Sequence, residues 1–167
     1  MTQFLRYAAK SDVGMVRRDN EDSGYAGRTL LAVADGMGGH AAGELASSTA
    51  VATLAELDSE DLAFEDVLTA LDDAMLTSAE RITQFIGADP TRAGMGTTLT
   101  AILWRGGRIA LIHVGDSRAY LLRDGSLSQI THDHTYVQTL IDAGRITAEE
   151  ARTHPKRNLL LRAIDGN

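Results

Sequence analysis

Acidic side chains beside turns are the residues of this sequence best suited to chemistry. Five of them lie at the predicted end of an apolar strand or in a turn next to one: Asp19, Glu21, Asp22, Asp35 and Asp116. This placement predicts that they meet at one rim of a sheet. Converging carboxylates cannot all stay ionised without cations, and oxygen ligands without cysteine suit hard divalent ions such as Mg²⁺ or Mn²⁺. The pattern therefore predicts a divalent metal site.

A simpler interpretation exists for each acid alone. Aspartate is common in turns because its side chain bonds to the local backbone. Both Asp35-Gly36 and Gly115-Asp116-Ser117 are ordinary turn sequences. Each acid taken singly is most simply a turn residue, whereas the set together favours the metal site.

Arg17 lies in the same turn-rich segment, ahead of Glu21. Its guanidinium fork could hold a phosphate group through two parallel hydrogen bonds. The alternative is a solvated surface arginine, and the neighbouring residues do not by themselves separate the two.

A competing motif, G-x-G-x-x-A from Gly36 to Ala41, matches the dinucleotide-binding fingerprint between a strand and a helix. Two features count against it. Asp35 would face the pyrophosphate with no nearby base to offset its charge. Asp58 opens a second helix where the fingerprint requires a strand that ends in an acid. We therefore set nucleotide binding aside.

The histidines are weaker candidates. The pair His132 and His134 is more typical of a helix cap or a solvated loop than of metal ligation. His113 lies inside an apolar strand and is expected to be a hydrogen-bonded core residue. His40 follows the glycine cluster and could reach the site, but a helix-capping role fits its position equally well.

Strands that could position these residues are predicted from hydrophobic periodicity. They are Phe4–Ala9, a short strand around Met15 and Val16, Thr29–Ala34, Thr97–Trp104, Ile109–Val114, Arg118–Arg123 and Leu127–Ile130. The nearly continuous apolar run of Thr29–Ala34 predicts burial on both faces. The segments Arg105–Arg108 and Asp124-Gly125 are predicted hairpin turns, so the last three or four strands predict an antiparallel meander.

Helices are predicted over Ala41–Leu57, Leu62–Ile86 and Tyr136–Ala143. Gly144 should stop the third, and Thr147 with Glu150 forms a capping box for a further short helix. Residues 158–164 are apolar and compatible with helix or strand. The order of strands, two helices and further strands indicates an α+β layered fold.

Composition limits the class of protein. The chain has 167 residues, enough for one domain with a core, and its 44% hydrophobic and 23% charged content is typical of soluble globular proteins. The net charge of −7 without a Lys/Arg run argues against a nucleic-acid surface. The absence of cysteine excludes disulfides and thiolate chemistry. With neither a signal peptide nor an apolar run of membrane-spanning length, a cytoplasmic protein is expected.

Four ordered motifs carry a family resemblance: RRDNED at 17–22, VADGMGG at 33–39, GTT at 96–98 and GDSR at 115–118. In this order they resemble the metal-dependent serine/threonine protein phosphatases of type 2C in their bacterial form, over essentially the whole chain. The segment 132–158 resembles the flap of bacterial members. The family continues with further strands, a helix and two more aspartate ligands, so residues 1–167 are expected to be the N-terminal two-thirds of a single phosphatase domain.

The resemblance implies a four-layer α-β-β-α sandwich whose two antiparallel sheets are flanked by pairs of helices, here without the C-terminal strands and helix. It also implies two Mn²⁺ or Mg²⁺ ions at one end, with a third, weaker metal beside the flap. Asp35 would bridge the two metals, and the Gly36 carbonyl would ligate one of them. Glu21 and Asp22 would hold metal-bound waters, and Asp116 would help to bind the third metal.

The resemblance also implies the reaction. Arg17 would hold the substrate phosphate, so Arg17 and Asp35 are the expected catalytic residues, and a metal-activated water would hydrolyse phosphoserine and phosphothreonine in proteins. Many relatives have a histidine where this chain has Met37, so protonation of the leaving group could come from a metal-bound water.

The implied partners are phosphoproteins made by a serine/threonine kinase, in cytoplasmic signal transduction, with a monomeric enzyme and no nucleic-acid or membrane contact. Because the two downstream ligands are absent, the alternative is an inactive truncated phosphatase fold that acts as a binding or regulatory module.

Overall fold

The computed structural model describes residues 5–59 and 61–166, apart from the side chains of His40 and Ser59. Among these residues the main sheet has six strands: β1 (Asp22–Ala26), β2 (Leu30–Met37), β3 (Gly96–Thr97), β4 (Leu99–Arg105), β5 (Arg108–Val114) and β8 (Ile164–Asp165). β1 pairs with one edge of β2, and β3 and β4 pair with the other edge. β5 lies beside β4, and β8 lies beside β3. All of these pairs are antiparallel, so the described residues lack the parallel βαβ unit that nucleotide binding at 36–41 would require.

The hairpin between β4 and β5 confirms the predicted turn. Arg105 pairs with Arg108, and the two glycines between them have positive φ values of 57° and 79°. Two successive residues with positive φ form the turn whose twist matches paired strands. The turn chemistry of this segment was therefore sufficient to predict the pairing.

A second, two-stranded sheet consists of β6 (Tyr120–Arg123) and β7 (Ser126–Gln129). Asp124 and Gly125, both at positive φ, connect the strands as predicted. The prediction of one continuous meander is wrong, because Gly115, at a φ of 103°, turns the chain away after β5. The two antiparallel sheets with their helices confirm the α+β class.

Two long helices, α1 (His40–Ala55) and α2 (Val67–Ala88), pack against the main sheet. Short 3₁₀ turns lie at Glu56–Ser59, Phe64–Asp66 and Pro90–Arg92. The 3₁₀ turn at 64–66 delays the start of α2 relative to the predicted Leu62. Two short helices, α3 (Tyr136–Asp142) and α4 (Ala148–Thr153), lie in the segment that resembles a flap.

The core lies between the two long helices and one face of the main sheet. Leu30, Leu54, Leu71 and Leu103 are fully buried there. The prediction that the strand ending at Ala34 is buried on both faces is wrong. Burial alternates along β2, and Val33 is 50% exposed because the helices cover only the opposite face.

The predicted N-terminal strands are also wrong within the described residues. Residues 5–10 have no regular structure, and Phe4 lies outside the description. Residues 14–16 form a turn, because Gly14 has a φ of 75° and its N–H donates to the Asp12 carboxylate at 2.8 Å. Weak alternation in sequence does not produce a strand without a pairing partner.

The C-terminal third confirms the local predictions. Thr147 and Glu150 form the capping box of α4, and Gly144 follows α3 at a φ of 65°. In the ambiguous apolar segment, Leu160 forms an isolated bridge with Thr135, and only β8 is a regular strand. In the part of the chain described, each helix is too short or too polar to cross a membrane.

Candidate active site

The strand register brings Asp22 and Asp35 face to face. Asp22 begins β1 and is the direct partner of Asp35 near the end of β2. Directly opposed residues on antiparallel strands share one face of the sheet, with Cβ atoms about 4.5–5.5 Å apart. Two carboxylates at this spacing repel each other unless a proton or a cation is shared between them.

The acidity of Asp35 reflects its burial together with this repulsion. Partial burial raises its pKa most, and the negative charge of Asp22 raises it next. The charge of Arg17 lowers the pKa, whereas a hydrogen bond with Asp22 and the charge of Asp116 raise it. The resulting pKa is about 6 instead of 3.8. The carboxylates therefore hold negative charge that a bound cation would neutralise.

Asp35 lines a cavity of about 520 Å³ together with Arg17 and Asp116. The other residues that line it are Gly36, Met37, Thr98, Asn158, Leu159 and Leu160. One guanidinium and two carboxylates thus share a space large enough for a phosphate group. An arginine can hold two phosphate oxygens, while a cation bound by the carboxylates can hold a third.

Thr98 connects Asp35 to the loop that carries Asp116. It interrupts the line of β3 and β4, and its hydroxyl accepts from the Asp35 N–H at 2.9 Å. The same hydroxyl shares a hydrogen bond of 2.8 Å with Ser117. A Cβ on Gly115 would lie 2.5 Å from the Thr98 methyl group, so glycine is needed there for the loop to approach.

Glu21 packs against helix α1, and two glycines, Gly36 and Gly43, make this close approach possible. Its carbonyl oxygen accepts from the Ser47 hydroxyl at 2.6 Å and from the Gly36 N–H at 3.2 Å. A Cβ on Gly36 would overlap the Gly43 carbonyl, and a Cβ on Gly43 would overlap the Glu21 carboxylate. The close approach of strand and helix therefore leaves room for the Glu21 carboxylate next to the end of β2.

Two of the histidines, His113 and His134, pack against each other and form hydrogen bonds with neighbouring groups. The His113 ring bonds to the Thr100 hydroxyl at 2.8 Å and to the His132 carbonyl at 3.1 Å, as expected of a hydrogen-bonded histidine. His134 stacks on His113 at a centroid distance of 5.1 Å and accepts from the Gly115 N–H. Burial lowers the pKa of His134, which favours this acceptor role. The side chain of His40 lies outside the described residues.

The described residues contain no preformed cluster of three acidic or histidine side chains that could hold a metal ion. Asp22 and Asp35 form a pair and Asp116 lines the adjoining cavity, whereas Asp19 is exposed and does not line it. The set nevertheless fits a hard cation. Mg²⁺ keeps several waters and binds through one or two carboxylates together with substrate phosphates, and the negative charges of Asp22 and Asp116 act on Asp35 from close by.

Comparison with known proteins assigns the family. The family described as protein phosphatase 2C matches residues 6–153. This chain belongs to that family. This member of the 2C family is similar to the serine/threonine protein phosphatase PstP of Mycobacterium tuberculosis. The two are 58% identical over 167 residues, which are 100% of this chain and 32% of PstP. The chain therefore spans about a third of the length of this curated relative.

Solved structures agree with this assignment to the 2C phosphatases. The crystal structure of M. tuberculosis PstP/Ppp matches with a TM-score of 0.93 at 57% identity, over 99% of this chain and 70% of that one. The PstP catalytic domain in complex with two manganese ions matches with a TM-score of 0.91 at 55% identity, over 98% and 68% of the two chains. The fold of this 2C family member is thus shared with both.

Two parts of the site were missed by sequence reasoning. The Gly43 and Ser47 contacts with Glu21 depend on how α1 packs, although the glycine cluster before the helix was a partial signal. Asn158, Leu159 and Leu160 reach the cavity from a distant segment whose secondary structure was ambiguous. No local pattern in that segment indicated that it lines the site.

Proposed function

We propose that this chain carries the active-site elements of a metal-dependent protein serine/threonine phosphatase, which hydrolyses phosphoserine and phosphothreonine with a metal-activated water. The observation that carries the proposal is the cavity shared by Arg17, Asp35 and Asp116, with Asp22 opposite Asp35. Family membership and the manganese-bound relative support it.

The roles follow from charge and position. Asp35, with Asp22 and Asp116 near it, would hold two Mn²⁺ or Mg²⁺ ions and a third, weaker one, with the Gly36 carbonyl and Glu21 as further contributors through oxygen atoms or water. Divalent cations bound there supply Lewis-acid polarisation of the phosphate and a water of lowered pKa.

Arg17 has a different role. Its guanidinium binds two phosphate oxygens and orients the phosphorus toward the acidic end of the cavity. The cost of burying the substrate's negative charge is offset by this cation and by the metals.

The wider setting belongs to the same proposal. Residues 1–167 act within a single phosphatase domain, with 132–158 as its flap. The substrates are phosphoproteins produced by a serine/threonine kinase, and the protein acts as a cytoplasmic monomer in signal transduction. Nothing observed in the described residues or in the comparisons favours the alternative of a non-catalytic binding module.

A Mn²⁺ titration of p-nitrophenyl phosphate hydrolysis tests the reaction. We expect turnover that requires Mn²⁺, and Asp35→Asn should lower it on the order of 10²–10³-fold because a major electrostatic contributor is lost. Turnover that persists in chelator would contradict the proposal. If the folded chain shows no turnover at any Mn²⁺ concentration, the binding-module alternative is supported instead.

Arg17→Ala tests the phosphate role separately from metal binding. We expect inhibition by inorganic phosphate to weaken about 10-fold or more, since a charged hydrogen-bonding group is removed, while calorimetric Mn²⁺ affinity stays the same. Arg18→Ala is the matched control, because Arg18 is the neighbouring exposed cation and does not line the cavity. A collapse of Mn²⁺ affinity in Arg17→Ala would show that Arg17 is misassigned.

A further inference from the structure

The mouth of the cavity carries apolar side chains that phosphate chemistry does not require. Leu159 and Leu160 line the cavity, and Met37 adds a third apolar group. Leu159 is 45% exposed and Leu161 is 51% exposed. A leucine pair open to solvent beside a charged cavity leaves apolar surface that a ligand can cover.

A second apolar edge lies just before the phosphate-binding arginine. Met15 and Val16 are in the turn that precedes Arg17, and they are 102% and 96% exposed. Single exposed apolar residues are common on protein surfaces. These two, however, directly precede the residue that we assign to the phosphate.

We propose that these two apolar edges, Met15–Val16 and Leu159–Leu161, bind the side chains that flank the phosphorylated residue of a protein substrate, and that they select an aliphatic residue at those positions. The inference rests on the proposed phosphatase function. An extended peptide advances about 3.3–3.6 Å per residue, so the neighbours of a residue whose phosphate lies at Arg17 stay close to the segments that adjoin Arg17 and line the cavity.

The leucine edge is held in place before a substrate arrives. The Tyr136 N–H donates to the Leu159 carbonyl at 2.9 Å, and the Leu161 N–H donates to the His134 carbonyl at 2.8 Å. Leu160 between them pairs with Thr135. Because this backbone is already ordered, covering the leucines costs little conformational entropy, and apolar burial contributes more of its free energy to binding.

Charge offers a competing specificity at the same rim. Lys156 and Arg157 are exposed and precede Asn158, which lines the cavity. Acidic residues beside the phosphorylated residue would be favoured if these cations, rather than the leucines, contacted the substrate. The experiment therefore includes acidic peptides as a competitor.

Three phosphothreonine peptides that differ only in the two flanking residues test the proposal: leucine, serine or glutamate on both sides. With Mn²⁺ present we expect kcat/KM for the leucine peptide to exceed that for the serine peptide by about tenfold, the factor typical of partial burial of aliphatic side chains. In the double variant Val16→Ser with Leu161→Ser this ratio should fall toward one. Leu68→Ser and Leu76→Ser remove leucines that are 53% and 59% exposed on α2, and they should keep the ratio.

A binding measurement separates this inference from the proposed reaction. Non-hydrolysable phosphonate versions of the same peptides are titrated against the chain by fluorescence anisotropy, with and without Mn²⁺. Selective binding of the leucine peptide without hydrolysis would support the apolar edges and overturn the catalytic proposal. Hydrolysis with equal rates for all peptides, or with a preference for glutamate, would overturn the role of the apolar edges alone. If the chain neither binds nor hydrolyses the peptides, both proposals are overturned.

Discussion

The two ends of strand β2 each meet a carboxylate, and the two carboxylates have opposite surroundings. Asp58 lies at the first residues of β2 and accepts from the N–H groups of Arg28, Thr29 and Leu30 at 2.9, 2.7 and 2.9 Å. The hydroxyls of Thr29 and Tyr25 also donate to it. Burial, the largest single influence, would raise the pKa of Asp58, yet these donors together lower it to about 2.

Asp35, near the last residues of the same strand, faces other carboxylates instead. Burial and the charge of Asp22 raise its pKa to about 6, and Arg17 offsets this only in part. The difference separates a carboxylate with a structural role from the one that we propose binds metal. A carboxylate surrounded by donors stabilises the fold, whereas one surrounded by like charges costs stability until a ligand binds.

The largest expected effect is the loss of stability when Asp58, at the start of β2, is replaced. Asp58→Ala should lower the free energy of unfolding by about 2–3 kcal/mol, because it leaves several donors, including the buried Leu30 N–H, without their acceptor. Urea denaturation measures this change. Asp61→Ala, at a nearby exposed acid, is the control and should stay within about 0.5 kcal/mol of the parent chain. An Asp58→Ala variant as stable as the parent would remove the distinction between the two ends.

A change at Asp35, which we propose binds metal, should alter the free energy of unfolding in the opposite direction. Asp35→Asn should raise the unfolding free energy of the metal-free protein by about 1–2 kcal/mol at neutral pH, after allowance for solvent screening, because it removes a charge that is partly buried and repelled by Asp22. The same urea experiment in the presence of chelator measures the gain. A loss of stability in Asp35→Asn would mean that the carboxylate is already neutralised by protein groups.

The smallest expected effect is a difference in pH dependence between Asp58→Asn and Asp35→Asn, at most about 1.4 kcal/mol per pH unit. The pKa of Asp58 is about 2 in the folded chain against 3.8 for the free group, so the parent's advantage over Asp58→Asn is present above pH 4 and is lost as the pH falls toward 2. The pKa of Asp35 is about 6 against 3.8, so the advantage of Asp35→Asn is present above pH 6 and is lost as the pH falls toward 4. Unfolding curves between pH 2 and 8 would show two separate windows of opposite sign, and a single shared window would contradict the assignment.

Local chemistry predicted the parts of the fold that depend on few residues. The turn between Arg105 and Arg108 and the capping box at Thr147 and Glu150 needed only nearby side chains. The strand predicted at 4–9 is absent from the described residues because alternation alone does not supply a strand to pair with. Val33 is half exposed although its segment is apolar, because burial depends on which face the helices cover.

In the site, too, single residues could be predicted from local sequence, whereas the contacts between distant segments could not. Asp35, Asp116 and Arg17 were predicted from their turn positions and from the family motifs, and all three line one cavity. The opposition of Asp22 and Asp35 depends on strand register, and the bond from the Asp35 N–H to Thr98 joins residues far apart in sequence. Such contacts are properties of packing, so no local pattern contains them.

The bridge between Thr135 and Leu160 makes the intervening segment a closed unit. Backbone hydrogen bonds from Tyr136 to Leu159 and from Leu161 to His134 tie its two ends together, while α3 and α4 lie between them. A loop whose ends are already neighbours can be exchanged without moving the strands it leaves. The segment between Thr135 and Leu160 can therefore be exchanged as a unit. Replacing it with the corresponding loop of another family member would change the cavity lining at Asn158 and Leu159, while Asp22 and Asp35 keep their strand register.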